Sequence, residues 1–339
     1  MIIGVCGYGY TGSGAVIDLL REYNGLQVCD DLEFDFLYAP GGINDLSFHL
    51  CKCPIRYLSG NTAIKRFIQL IDSWSSPNSL YMKATKGKFK SISMDYVDSL
   101  IQCRYKGLDN YDIVFSSMLK RNLKYRLGMR IKWILGSFGD RFAQNYLYTD
   151  MYVAIEPEDF LLKSKNYLRR IIESLGYHNI EKLVLNQPYP AENPEIFFEY
   201  YDEPYAIIVD RDPRDLFILS REVLKMDGSF IPTDTVENFI LFYKKTHHNR
   251  DNERVINLRF EDLIYNYEQT VFKLENKLKL ETHTCKKKYF NPYISINNTQ
   301  LFKKYKKYEV EIKIIEKELS EFLYPFEDHQ EIHHNRNAF

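Results

Sequence analysis

The chain has 339 residues, 45% of them hydrophobic and 27% charged, with a formal net charge of -1. That balance is ordinary for a globular protein with a sizeable core, as one large domain or two modest ones. It argues against general nucleic-acid binding, which calls for a basic excess, so any basic site must be local.

Ile2 to Cys6 is a short apolar run of the kind a strand buried on both faces requires. A loop with Gly7, Gly9, Gly12 and Gly14 follows, and from Ala15 the residues Val16, Leu19 and Leu20 recur at helical spacing. A strand, a glycine-rich turn and a helix N-terminus make an anion site, because backbone N–H groups converge there and the helix dipole favours negative charge. Gly7 and Gly12 match half of a nucleotide P-loop, but Ser13 and Gly14 stand where an NTPase needs its Lys and its Ser/Thr. The expectation is a phosphate cradle without ATPase or GTPase chemistry; the plainer alternative is a βα turn with no ligand.

Leu26 to Cys29 reads as a second strand, followed by the acidic stretch Asp30 to Phe36. Pro40, Gly41 and Gly42 mark a loop. From Asn61 to about Phe142 the periodicity is mostly helical with no convincing strand, which predicts a helical insertion spanning roughly 60–180. Within it Leu119 to Gly139 is basic and amphipathic. A surface helix with solvated Lys and Arg is the simpler reading, and contact with a membrane surface or an anionic lipid-linked substrate is the other. Pro157 opens a helix that Gly176 closes. Lys182 to Asn186, Tyr205 to Val209 and Arg254 to Leu258 supply three more strands, and Phe260 to Leu280 and Lys303 to Leu323 two more helices. The alternation predicts a three-layer α/β/α domain of P-loop type over 1–325, with a parallel sheet of about five strands. A polar tail, 326–339, carries His329, His333 and His334.

Of six cysteines only Cys51 and Cys53 lie close together, with no second pair or nearby His, so free thiols are expected and no metal. The apolar start lacks a basic flank and is broken by glycines, and no run long enough to span a bilayer follows. A cytoplasmic protein without signal peptide or anchor is expected.

A second anion signal is YAIIVDRDPRDLFILS, Tyr205 to Ser220. Arg211 and Arg214 stand at a strand's carboxyl end, on the sheet edge where open α/β sheets bind ligands. The planar guanidinium suits phosphate because it donates parallel hydrogen bonds. Salt bridges to Asp212 and Asp215 are the alternative.

Taken together, GYGYTGSGAV and the distant VDRDPRDLFILS resemble the two cofactor signatures of sulfotransferases that use 3′-phosphoadenosine 5′-phosphosulfate (PAPS). VINLRFEDLIYNYEQTVFKLENKL and FNPYISINNTQLFKKY are similar to later segments of that family, the last to its cofactor-covering loop. The resemblance spans about half the chain and leaves 60–180 without a counterpart. It implies that Gly9, Tyr10, Thr11, Gly12, Ser13, Gly14 and Ala15 cradle the phosphosulfate and that Arg211, Arg214 and Ser220 hold the 3′-phosphate. It also implies that a sulfuryl group passes to an acceptor hydroxyl without a metal. Where many members carry a loop lysine this chain has Tyr10, so a cation must come from elsewhere; Arg56, Lys65, Lys83 and Lys86 are candidates. The family's 3′-phosphate serine falls on Leu219, one position before Ser220. Where the cytosolic branch has a catalytic histidine this chain has Asn186 and Gln187, neither a useful base. Branches acting on carbohydrate or protein tyrosine use a Glu after the second strand. That position is Glu33, with Asp30 and Asp31 as rivals, and it points to a glycan or lipid-linked glycan acceptor. Two other classes stay open: a module that holds an adenosine bisphosphate and transfers nothing, and a nucleotide or sugar kinase, which Ser13 counts against.

Overall fold

Seven strands form two sheets in a computed structural model that describes residues 1–224, 231–281, 283 and 285–326. They are β1 (Ile2–Gly7), β2 (Gln27–Cys29), β3 (Cys103–Gly107), β4 (Thr149–Val153), β5 (Leu183–Asn186), β6 (Pro204–Asp210) and β7 (Val255–Arg259). The chain divides into two compact units, one made of Met1–Asp35 with the chain from Tyr177 onward, the other of Phe36–Gly176. The tail histidines lie outside the described residues.

The first unit is a mixed α/β structure around a parallel five-stranded sheet in the order β2-β5-β1-β6-β7. β1 is central, which is why its run is apolar on both faces: Ile3, Val5 and Cys6 are fully buried. Each such aliphatic side chain contributes roughly 1.5–3 kcal/mol relative to exposure. Helix α1 (Ser13–Leu20) packs Val16, Ile17, Leu19 and Leu20 into the same core as Val209, Ile256, Leu258 and Leu274. All five strands match sequence-expected runs to within one or two residues at their ends.

Three expectations about this unit need correction. The expected long helix from Phe260 breaks at Asn266, whose φ of -122° leaves the helical region, into Asp262–Tyr265 and Tyr267–Leu278. The expected last helix is reduced to Glu309–Glu318 flanked by short turns, one of them Lys306–Tyr308. Phe326, expected to begin the polar tail, is buried, with its ring 5.1 Å from Tyr324 and 5.7 Å from Tyr265.

The second unit is mostly helical. Helices Arg56–Trp74, Phe89–Leu100 and Phe160–Ser174 form its core, where Tyr96 and Tyr167 stack at 4.6 Å and each hydroxyl reaches a buried serine, Ser164 and Ser93. The stretch expected to be mostly helical and without a strand contains β3, which pairs antiparallel with β4. β3 reads CRYKG and is largely exposed, so it carries no apolar alternation; the ladder to β4 makes it a strand.

Candidate functional site

β1 delivers the chain into the glycine loop at the sheet's carboxyl edge. Gly12 sits at φ 98°, and a Cβ there would fall 2.4 Å from the Phe260 ring, so glycine is required by backbone and packing together. Gly14 is different: a Cβ there would meet no atom within 4 Å. Thr11 is buried, and its Oγ1 accepts the Tyr8 N–H at 3.2 Å, so it shapes the loop from inside. Gln187, at the end of β5, bridges the loop: its Oε1 accepts the Gly7 N–H and its Nε2 donates to Ser13 Oγ, both at 3.2 Å.

A cavity of about 470 Å³ opens in front of the loop, within the usual size of a small-molecule site. Tyr10, Gly12, Ser13, Gly14, Ala15 and Asp18 line one side, and residues between Tyr289 and Asn298 line another. Arg211 and Phe260 belong to the same wall. Arg211 is 3% exposed; its Nη1 donates to the Tyr10 carbonyl at 3.4 Å, its Nη2 to the Asn298 carbonyl, and its Nε has no hydrogen-bond partner. Burial pulls its pKa below the ordinary arginine value, against the opposing pull of Asp215, Glu261 and Asp212. Asp18 brings the opposite charge, and burial raises its carboxyl pKa.

The structure does not bring every expected residue to this cavity. Arg214 is saturated elsewhere: Nε and Nη2 donate to Asp212 at 2.9 and 2.7 Å, Nη1 donates to Glu316 at 3.0 Å, and the guanidinium lies over Phe302. Ser220 is fully buried and its hydroxyl pairs with Thr233 at 3.2 Å. Neither lines the cavity. Gly9, at φ 89°, shapes the turn without lining the cavity either. Glu33 is exposed beyond β2, where the Phe34 N–H donates to the Asn186 carbonyl at 2.7 Å. It shares the sheet's carboxyl edge with the loop but is absent from the cavity wall. The candidate cations Arg56, Lys65, Lys83 and Lys86 all fall in the second unit, where Arg56 meets Glu156 and Lys65 meets Asp109.

Sequence reasoning missed two residues that hold the wall. Glu22, at the end of α1, is buried and accepts the N–H groups of Lys287, Tyr289 and Phe290 at 2.7–3.0 Å, with His283 Nε2 at 2.6 Å. Asp215 accepts the N–H groups of Gln300 at 2.6 Å and Phe302 at 3.3 Å. Burial, with Asp212 nearby, pushes its carboxyl up to about 7.

Beside the site His247 is fully buried between Tyr8 and Tyr243, with ring separations of 3.9 and 3.7 Å. Burial drives its pKa down to about 4, although Asp210 at 3.6 Å pulls the other way.

No protein-family model and no curated protein matches the chain. Among solved structures, the sulfotransferase domain from the Synechococcus PCC 7002 olefin synthase matches at 12% identity over 86% of this chain and 76% of that one, with a TM-score of 0.35. A likeness that loose carries no argument about activity.

Two predictions follow from the geometry. Gly12→Ala should cost roughly 2–5 kcal/mol through the Phe260 clash and the left-handed backbone. Gly14→Ala should change stability by no more than about 1 kcal/mol, both read from urea melts. His247 binds its proton more weakly folded than unfolded, so its contribution is present above the unfolded value of about 6.5 and is lost as pH falls toward 4. Wild type should therefore lose up to about 3 kcal/mol more than His247→Gln between pH 7 and pH 4, measured by melts across that range.

Proposed function

We propose that the cavity binds the adenosine bisphosphate portion of PAPS and that the protein transfers a sulfuryl group to an acceptor hydroxyl. The observation that carries this reading is Arg211, a buried cation with an unpartnered Nε in the wall that also holds the N-terminus of α1. N–H groups there and the guanidinium would hold anionic oxygens, and Gly14 leaves room for them to approach. PAPS supplies the activated sulfuryl group when bound. In this reading Glu33 takes the proton from the attacking hydroxyl, and the cavity's donors offset charge developing on the leaving phosphate. The resemblance to carbohydrate-acting branches favours a glycan or lipid-linked glycan acceptor.

A second reading is a binder without transfer. It is favoured by the position of Glu33 outside the cavity wall and by Asp18, whose charge opposes an anionic ligand.

Titration calorimetry with 3′-phosphoadenosine 5′-phosphate, beside ATP with Mg²⁺, tests the cofactor. Arg211→Ala should weaken the bisphosphate by about 10- to 100-fold, the scale of a lost charge-assisted hydrogen bond. Arg214→Ala should instead destabilise the fold by about 3–5 kcal/mol by leaving Asp212 buried and unpaired. A preference for ATP, or equal affinity in Arg211→Ala, would sink the assignment. Transfer of labelled sulfate from PAPS to a panel of glycans and phenols tests the chemistry. Glu33→Gln should lower it about 10²–10⁴-fold while leaving bisphosphate affinity unchanged. Tight bisphosphate binding with no transfer to any acceptor would favour the binder.

A further inference from the structure

Residues 118–147 of the second unit fold into a helical hairpin. The first arm runs through Met118–Lys120, the wide-turned Arg121–Leu127 and Gly128–Ile134; the second runs through Ser137–Phe142 and Ala143–Leu147. Gly136 makes the reversal at φ 55°. Gly139 lets the arms touch, since a Cβ there would fall 1.9 Å from the Lys132 carbonyl oxygen. The inward contacts are few: besides Gly128 and Gly139, only Tyr125, Ala143 and Leu147 of the hairpin are buried.

What faces outward is unusually apolar. At the bend Trp133 is 80% exposed, Ile134 81% and Phe138 74%, and Met118, Leu119 and Leu123 on the first arm are also more than half exposed. Single exposed hydrophobic residues need no explanation, but a cluster at one exposed turn marks a contact surface. The charge around it is one-sided. Between Lys120 and Arg141 the chain has seven basic residues and one acidic residue, in a protein whose net charge is -1. Arg126, Arg130 and Arg141 are exposed.

These features select one occupant. An apolar, Trp-bearing tip with arginines behind it matches the layers of an anionic leaflet, in which acyl chains lie beneath phosphates. No helix among the described residues is long and apolar enough to cross a membrane. We propose that this hairpin docks the protein onto an anionic bilayer surface. The Trp133–Phe138 bend enters the boundary between headgroups and acyl chains, and Arg126, Arg130 and Arg141 lie against lipid phosphates. The inference stands on the hairpin alone and is independent of the sulfuryl-transfer reading.

The test uses the full chain. The protein has two tryptophans, so Trp74→Phe leaves Trp133 as the sole indole reporter. Vesicles of phosphatidylcholine alone are compared with vesicles that also contain phosphatidylglycerol. The expected result is co-sedimentation and a blue-shifted Trp133 emission with the anionic vesicles only, both weakening as salt is raised. Replacing Trp133, Ile134 and Phe138 together by Ser should abolish co-sedimentation. Changing Arg126, Arg130 and Arg141 to Gln should weaken it by about fivefold per arginine. These positions are exposed, so the variants should keep the wild-type melting temperature. Failure of the Trp74→Phe protein to bind anionic vesicles would overturn the proposal, as would equal binding to both vesicle types. Self-association that the Ser variant removes, without vesicle binding, would overturn it in favour of a second copy of the chain.

Discussion

The first unit depends on a knot of buried charge at the carboxyl end of β6. Arg211, Asp212, Arg214 and Asp215 follow the strand directly, all are nine-tenths or more buried, and Glu261 from the turn after β7 joins them. Burying one such charge alone would cost several kcal/mol, so each survives only because partners were folded in with it. Those partners come from far along the chain. The Asp212 N–H donates to Glu261 at 2.8 Å, and the Asp212 carboxylate accepts the Tyr324 N–H at 2.8 Å as well as the Arg214 guanidinium. Asp215 holds Gln300 and Phe302. Satisfying one five-residue motif therefore fixes the end of β6, the turn after β7 and the C-terminal segment against one another.

The cavity wall follows from that constraint and from a second one. The segment between Tyr289 and Asn298 is held at its start by Glu22 and just past its end by Asp215. Both are carboxylates that accept backbone N–H groups, an arrangement that satisfies buried donors in a segment with little regular structure. The wall is thus anchored to the end of α1 and to the helix after β6, the two elements whose N-termini the sequence marks as anion sites. A cofactor that touched all three would be held by parts already locked together, which lowers the ordering cost of binding.

Much of the sheet was legible in the sequence because parallel strands buried on both faces must be continuously apolar, and Ile2–Cys6 and Tyr205–Val209 are. The glycine loop was legible for a similar reason, since few other functions need four glycines from the end of a strand to the first turn of a helix. Partner choice was not legible. Arg211 and Arg214 are the same residue type three positions apart, and only tertiary structure tells that Asp212 and Glu316 saturate one while the other lines the cavity. Glu22 was not singled out by the sequence because its partners lie some 260 positions downstream. β3 escaped because an exposed strand has no hydrophobic period to detect, and the final helix fragmented because the turns around Lys306 and Ser320 leave no pattern in the charged residues nearby.

The missing loop lysine takes on a different meaning once Arg211 is placed. The sequence suggests two separate anion sites, one needing a cation of its own. In the structure the guanidinium of Arg211 donates to the carbonyl of Tyr10, the residue that stands in the lysine's position. Tyr10 adopts φ 57°, a left-handed conformation that a non-glycine residue holds only when its surroundings impose it. The second anion signal thus brings its arginine to the glycine loop of the first, and residues of both line one cavity. An anion bound there would meet positive charge at one point and backbone N–H groups elsewhere. The cavity's selectivity would therefore come from the shape of the wall more than from the number of charges.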